Sequence, residues 1–452
     1  MSQRETWATR TGFILAAVGS AVGLGNIWRF PFQTSANGGA AFLVVYLAAV
    51  LLIGIPVILA EFSIGRRANV DAIKAFRTLD HSGWRFVGAI GILASFWTLS
   101  YYSVVGGWVT RYVAGSVTGN ALAAPEGYFG AVSAGLPAIV THAIFLAVTI
   151  GIVAFGIERG IELATKFMVP SIVVLLIALA VFAATLPGAS EGYAFFLSPD
   201  FSVIVEDAAT ILPAAFGQAL FSLSLGFSVM ITYASYLGRD DSLLADGLAI
   251  AITNTFVGVL AGLVVLPLLF AQGVPPGEGG AGAVFVAIPT ALAELPGGGL
   301  VGRAIGVVFF AVVFIAALSS AISLLEAVVA YAVDTFGISR APAAIGLGIA
   351  GFLLGIPSAL DTAWLDWFDG IGVTLFLPLA VLSVVVFVGW IMGDEAIDEL
   401  RRGSDLTGVG PAWLWTLRTF VLLVVVLIVA LNFNDLFLTP DAGYYIVPGP
   451  LR

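Results

Sequence analysis

The chain has 452 residues, 60% of them hydrophobic and only 10% charged, with a formal net charge of −10 and no cysteine. Runs of about 18 or more apolar residues recur along it, the mark of a polytopic helical membrane protein. The missing cysteines exclude disulfides and thiol chemistry, and the negative balance argues against a nucleic-acid partner. The loops carry much Asp and Glu and only two lysines, Lys74 and Lys166, an acidic surface suited to high salt.

Residues 1–10 are polar and lead straight into the first apolar segment, without the pattern of a cleavable signal. The apolar segments predict eleven spans, near 11–33, 39–65, 85–115, 137–155, 164–184, 210–237, 242–271, 301–335, 341–356, 362–393 and 412–436. Of the 18 basic residues, an inside N-terminus leaves only Arg29, Arg111, Arg303 and Arg452 off the cytoplasmic side. Fourteen against four predicts N-terminus inside and C-terminus outside. Gly/Pro-rich outer stretches fall near 116–136, 185–209 and 272–299, the last long enough to dip back as a lid. The charged 66–84 segment is predicted to lie along the inner interface.

Within the first span, residues 19–31 read Gly-Ser-Ala-Val-Gly-Leu-Gly-Asn-Ile-Trp-Arg-Phe-Pro. A helix that only had to span would not hold three glycines, an asparagine, an arginine and a proline there. Glycine lets the backbone leave the helix and Pro31 supplies no N–H. Unwound backbone at membrane depth is tolerated only where it is buried in protein or lines a cavity. Its freed N–H and C=O groups then become donors for an anion and acceptors for a cation. A second interruption lies in the sixth span, Gln218-Ala-Leu-Phe-Ser-Leu-Ser-Leu-Gly-Phe-Ser228, with Ser222, Ser224, Gly226 and Ser228 where a packing helix uses leucine. One break opens spans one to five and the other spans six to ten. Paired interruptions in corresponding places predict an inverted-repeat secondary transporter, with repeats at 11–184 and 210–393, the span at 412–436 outside them, and the whole of 1–452 a single transport domain.

Trp7-Ala-Thr-Arg10, the Gly-x-Ala-Val-Gly-Leu-Gly-Asn-x-x-Arg-Phe-Pro run, Tyr101-Tyr102 and Ser-Leu-Gly-Phe in span six resemble the neurotransmitter:sodium symporter family. The resemblance runs from residue 4 to about 394. It implies an all-α integral membrane protein with the LeuT-type 5+5 inverted repeat, broken first and sixth helices and one extra helix. It also implies Na⁺-coupled symport of a neutral, apolar amino acid by alternating access, with glycine or a small ω-amino acid as the alternative substrate, and no enzymatic activity.

Several site residues follow from the resemblance. The substrate carboxylate is expected at the N–H groups of Leu24 and Gly25 and the Tyr102 hydroxyl, and its amine at the carbonyls of Ala21, Phe221 and Ser224. The side-chain pocket comprises Ser20, Thr98, Phe221, Ser224, Phe227, Ser320 and Leu324, which suits an apolar side chain. A first sodium site draws on Ala21, Asn26, Ser222, Asn254 and the substrate's own carboxylate. A second draws on Gly19, Val22, Ala316, Ser319 and Ser320. Arg29 and Asp369 match the family's extracellular pair, with Gln33, Phe227 and Tyr102 closing the lid beneath. Arg4, Trp7, Tyr236, Ser235 and Asp334 match its cytoplasmic latch. Glu61 resembles a carboxylate bracing the span-six break, and Gly160 with Pro170 a Gly-x9-Pro spacing that lets span five unwind. Gly23 stands where monoamine-transporting relatives carry aspartate. Tyr46, Gln218, Ser222 and Asn254 supply most of a chloride shell, and Gly258 replaces the carboxylate that makes other relatives chloride-independent, leaving space next to Ser222.

Two other readings remain at this stage. A sensor or channel on the same scaffold is disfavoured by the full set of gate residues. An intramembrane enzyme lacks His-Glu-x-x-His, and neither lysine is followed by Ser or Thr as a P-loop requires.

Overall fold

The computed structural model describes residues 5–438 except 239, 272, 274–282, 296–298 and 404–407. Nine described helices are long and apolar enough to cross a bilayer: Ala40–Ala68, Ser82–Thr118, Gly135–Ala154, Ile157–Ala183, Leu243–Ala271, Gly299–Phe336, Arg340–Leu360, Thr362–Met392 and Val409–Asn434. A tenth span is the pair Arg10–Ala21 and Gly25–Ala36, bent by 48° at its break. The sixth span of the sequence is also in two pieces, Ala208–Ser222 and Val229–Ala234. With it the eleven expected spans are all present, and both predicted breaks are real.

The first break lies where the local chemistry puts it. Arg10–Ala21 ends at Val22, whose backbone is extended (φ −80°, ψ 94°). The chain resumes as a wide-turned helix at Gly25–Arg29 that runs on into Phe30–Ala36, and Pro31, which supplies no N–H, follows directly on the wide turn. The second break is sharper. Ser224, Gly226 and Ser228 all take left-handed backbone, at φ 53°, 82° and 55°. For two serines this conformation costs on the order of 1–3 kcal/mol each, so the turn needs outside support. Buried Glu61 of span two supplies some of it, accepting from the Gly226 N–H at 2.7 Å. Ser95 of span three adds a hydrogen bond to the Phe227 carbonyl.

The third and eighth spans, 37 and 38 residues long, take corresponding places in the two halves and pack against each other. At about 1.5 Å per residue each reaches well beyond a hydrocarbon core of about 30 Å. Span eight packs on Arg10–Ala21, Gly25–Arg29 and Val229–Ala234, and span three reaches the two breaks through Tyr102 and Ser95. The inner segment expected along the interface contains a short helix, Ala72–Thr78, which Asp71 caps by accepting from the Ile73 and Lys74 N–H groups. In the stretch read as a lid, Ala283–Ala293 is helical and packs on span eight, while 274–282 and 296–298 lie outside the described residues.

Candidate functional site

The two breaks face each other at the centre of the molecule. An intact helix would use the carbonyls of Ser20 and Ala21 for its own ladder, and the break at Val22–Gly23 frees them. Ser20 O accepts from the hydroxyls of both Ser224 and Ser320 at 2.9 Å. On the other side of the break the Leu24 N–H donates to the Tyr102 hydroxyl at 3.1 Å. The expected carboxylate donors are thus side by side at the start of the second half-helix.

Gly23 admits no side chain. A Cβ built on it would stand 2.2 Å from Ser320 Oγ and 2.8 Å from the Tyr102 hydroxyl. The cavity here is small, about 20 Å³, and is bordered by Ser20, Ala21, Gly23, Gly25, Thr98, Tyr102, Phe221, Ser224, Phe227, Ser320 and Leu324. Every residue expected of the side-chain pocket is on this wall.

Next to it lies a cluster of oxygens. Asn254 Oδ1 accepts from Asn26 Nδ2 at 2.8 Å and stands 3.0 Å from the Ser222 carbonyl oxygen and 3.2 Å from that of Ala21. Three acceptors so close repel one another unless the amide turns its nitrogen to them or a cation lies among them. Oxygens that share one hard cation at about 2.3–2.6 Å stand roughly 3 Å or more apart, so the spacing fits a sodium ion. Asn26, Ser222, Asn254 and Ala21 are brought together as expected.

A second cluster joins Ser319 Oγ to Ala316 O at 2.9 Å and Val22 O at 3.3 Å, with Gly19 packed against Ser319. Ser320, expected in this set, turns its hydroxyl to Ser20 O instead, because the break leaves that carbonyl open. Hydroxyl and carbonyl oxygens without sulfur or imidazole again suit a hard cation.

Beneath the first cluster, Tyr46 and Ser222 share a hydrogen bond of 3.0 Å, Asn254 Nδ2 donates to Ser222 Oγ at 3.4 Å, and Gln218 Nε2 donates to Gly25 O at 2.8 Å. The space at Gly258 was expected beside Ser222. The nearest atoms to a Cβ there are Asn26 Nδ2 at 3.6 Å and the Phe30 ring at 3.8 Å, so it opens toward the amide.

At the Arg29 end a wider cleft of about 180 Å³ is lined in part by Arg29, Gln33, Tyr102, Phe221, Asp366 and Asp369. Arg29 and Asp369 approach to 4.0 Å, and the Arg29 guanidinium lies over the Phe221 ring, 4.9 Å from its centre. Phe221 and Tyr102 border both the cleft and the pocket, whereas Phe227 borders the pocket alone. The partition under Arg29 is therefore Phe221 with Tyr102, and Phe227, expected there, lies below. The left-handed turn between Ser222 and Val229 decides which ring faces up.

At the opposite end Trp7 is buried, donates to Tyr233 O at 3.0 Å and packs on the Tyr233 and Tyr236 rings. Tyr236 donates to buried Glu326 at 2.8 Å, and Arg340 joins Glu326 to Glu5 at 2.5 and 2.6 Å. Asp334 accepts from the Asp71 N–H at 2.8 Å. Arg4, expected in this latch, lies outside the described residues, and Ser235 is buried beside Tyr236. The sequence reading missed Glu326, Arg340 and Glu5. A carboxylate inside an apolar run, as in Leu-Leu-Glu326-Ala-Val-Val, was the available signal. It missed Glu162 as well, which ties span five to the start of span one by accepting from the Ala8 N–H and the Thr9 hydroxyl, each at 2.8 Å. Gly160 lies in the wide-turned Ile157–Glu162 segment that opens span five, and Pro170 is inside the following helix.

Residues 4–124 and 133–448 match the Sodium:neurotransmitter symporter family. The chain is 34% identical over 449 residues to an uncharacterized sodium-dependent transporter of Bacillus subtilis, covering 94% of this chain and 97% of that protein. A similar uncharacterized sodium-dependent transporter of Methanocaldococcus jannaschii is 33% identical, over 99% of this chain and 95% of its own length. A crystal structure of MhsT in complex with L-phenylalanine superposes with a TM-score of 0.86 at 41% identity, covering 95% of this chain and 99% of MhsT. Family, sequence and fold agree: this multi-pass membrane protein belongs to the sodium:neurotransmitter symporters and is a sodium-dependent transporter, not an enzyme.

Proposed function

We propose that the chain is a Na⁺-coupled symporter of a neutral, apolar α-amino acid, working by alternating access. The observation that carries this reading is the start of the second half-helix. The Leu24 N–H and the Tyr102 hydroxyl meet there beside a cluster of oxygens, and Gly23 has no room for an acidic side chain. Any carboxylate at that point has to come with the substrate. Its charge meets the helix dipole on one side and the first sodium ion on the other, so ion and substrate favour each other's binding.

In this reading the first sodium ion is held by Ala21, Asn26, Ser222 and Asn254, and a second by Gly19, Val22, Ala316 and Ser319. The substrate's amine meets carbonyls of the two breaks, and its side chain lies among Phe221, Phe227 and Leu324. The likeness to MhsT, whose structure holds L-phenylalanine, supports an apolar side chain. Glycine or a small ω-amino acid is the second choice, since the cavity of about 20 Å³ favours small ligands as it stands. The test is a binding panel in sodium. A neutral α-amino acid from leucine-sized to aromatic should bind best, and a panel led by dopamine or glutamate contradicts the reading.

The Arg29 end faces outward and the Trp7 end the cytoplasm, by the distribution of basic residues. The halves 11–184 and 210–393 move against each other, with 412–436 outside the exchange. The Arg29–Asp369 pair closes the outer cleft. Its side chains are 23% and 41% exposed, so the pair is screened by water and stabilises by only about 0–1 kcal/mol. Asp369→Ala should therefore slow uptake severalfold while barely moving the melting temperature. Unimpaired uptake would remove Asp369 from the gate.

We further propose that chloride binds among Tyr46, Gln218, Ser222 and Asn254 and promotes uptake. Two sodium ions beside a zwitterion leave excess positive charge, and burying it uncompensated is expensive. Replacing chloride by gluconate at fixed sodium should lower uptake, and Gly258→Glu should remove the difference. Equal rates in the two anions would rule this out.

A further inference from the structure

Span eleven is fastened to span ten at two places, and both acceptors are carbonyls in wide turns. Thr374 lies in the wide-turned segment Gly372–Phe376 of span ten and accepts from Asn432 Nδ2 at 3.0 Å. Gly389 lies in a second such segment, Phe387–Met392, and accepts from Arg418 Nε at 2.5 Å. A wide turn interrupts the regular ladder of helical hydrogen bonds, which opens these carbonyls to donors from a neighbouring helix. The bond to Gly389 occupies one of the five N–H groups of Arg418. Among the described residues no carboxylate pairs with its guanidinium, whose other neighbours are aromatic rings.

Span eleven begins at Val409, and Arg418 stands about 14 Å along its axis from there. A charge at that depth is costly unless it reaches the surface. Arg418 reaches toward the inner end of span ten. One of its terminal nitrogens would lie 3.6 Å from a Cβ built on Gly393, the turn that follows Met392. The guanidinium is flanked by Trp390 at 5.7 Å and Trp415 at 5.8 Å from the ring centres. Both rings are more than half exposed, at 57% and 61%, and exposed tryptophans on membrane helices mark the headgroup level. Beyond them toward the bilayer centre the outer faces are aliphatic, with Leu423, Val426 and Leu427 exposed on span eleven. Two carboxylates follow Gly393 in the chain. Glu395 is paired with Arg67 at 2.7 Å, and Asp394 is exposed and forms no ion pair with Arg418.

We propose that Arg418, held between Trp390 and Trp415 at the inner ends of spans ten and eleven, binds the phosphate of an anionic phospholipid of the inner leaflet. A guanidinium matches two phosphate oxygens at once, and the aliphatic face of span eleven takes the acyl chains. The inner leaflet follows from the distribution of basic residues. The lipid is anionic because the site already holds one cation without a counter-charge. A zwitterionic headgroup would bring a second cation beside it, whereas a headgroup of net charge −1 neutralises it. The protein as a whole carries −10, so its overall field disfavours anionic lipid. A preference for such a lipid therefore has to come from a local site. One arginine at the surface of a membrane is worth about fivefold in the binding of an anionic lipid.

The test is native mass spectrometry of the delipidated full-length protein with dioleoyl phosphatidylglycerol and dioleoyl phosphatidylcholine, which share their acyl chains and differ in headgroup charge. The unsubstituted chain should bind its first phosphatidylglycerol about fivefold or more tightly than phosphatidylcholine. Arg418→Gln should bring that ratio close to one. Trp390→Leu with Trp415→Leu, which leaves the bond from Arg418 to Gly389 in place, should lower it as well. Arg159→Gln, the same charge change at an exposed arginine of the inner side, should leave it unaltered. The readout is a ratio between two lipids, so a general loss of lipid binding in a loosened variant does not imitate the effect. Equal affinity for the two lipids overturns the proposal, and so does a preference that survives Arg418→Gln or falls equally in Arg159→Gln. Displacement of the bound lipid by glycerol phosphate, the headgroup without chains, would make this a site for soluble phosphates and overturn the lipid as its occupant.

Discussion

Gly23→Ala abolishes sodium-dependent amino-acid binding, with the dissociation constant raised by at least about a hundredfold. The residue is not in left-handed backbone, so alanine strains nothing in the chain. The damage comes from the methyl group, which would stand 2.2 Å from Ser320 Oγ and 2.8 Å from the Tyr102 hydroxyl. Ser320 can rotate away only by giving up its hydrogen bond to Ser20 O. Tyr102 is fixed in the middle of span three and can yield only by leaving the Leu24 N–H. Either movement dismantles the carboxylate end of the site. The nearest atoms to the added methyl are all side-chain atoms of Ser320 and Tyr102 and none is backbone, so the fold survives it, and the detergent-solubilised variant should melt close to the parent. Retained binding within a factor of a few would mean that the carboxylate sits elsewhere.

Asn254→Ala raises the sodium concentration needed for half-maximal substrate binding by tenfold or more. Its amide oxygen is the meeting point of the first cluster, 2.8 Å from Asn26 Nδ2, 3.0 Å from Ser222 O and 3.2 Å from Ala21 O. Alanine removes one oxygen ligand and one of the two hydrogen bonds of the Asn26 amide, which keeps only its bond to the backbone carbonyl of residue 254 at 3.0 Å, and each lost bond of this kind is worth about 1 kcal/mol or somewhat more. Together these give the factor of ten. At saturating sodium the substrate affinity should recover, which separates loss of an ion ligand from general misfolding. An unchanged sodium requirement would exclude Asn254 from the ion site.

Both breaks were legible in the sequence because membrane helices have strong defaults. Three glycines, Asn26, Arg29 and Pro31 in one apolar run violate them together, as do the serines and Gly226 of span six. The pocket wall followed from the family resemblance that those breaks carry. What stayed hidden depends on backbone direction inside the unwound turns. Ser320 faces the pocket because Ser20 O is open there. Phe221, not Phe227, lies beneath Arg29, and the left-handed residues Ser224, Gly226 and Ser228 interrupt the helix between the two rings, so helical register does not relate them. No periodicity reports either. Glu326 and Arg340 are another matter, since charges inside the spans are costly enough to be noticed from sequence. Their pairing with each other and with Glu5 is a tertiary fact that only the packing reveals.

The central claim is that a sodium gradient drives a neutral amino acid across the membrane through this site. Each charge entering with the substrate is worth about 2.3 kcal/mol per 100 mV, before any concentration gradient. The direct measurement is uptake of labelled phenylalanine into proteoliposomes under an inward sodium gradient, compared with an equal potassium gradient. The account predicts accumulation above equilibrium in sodium, collapse of that accumulation on adding a sodium ionophore, and no accumulation in potassium. Equal uptake under the two gradients would contradict it.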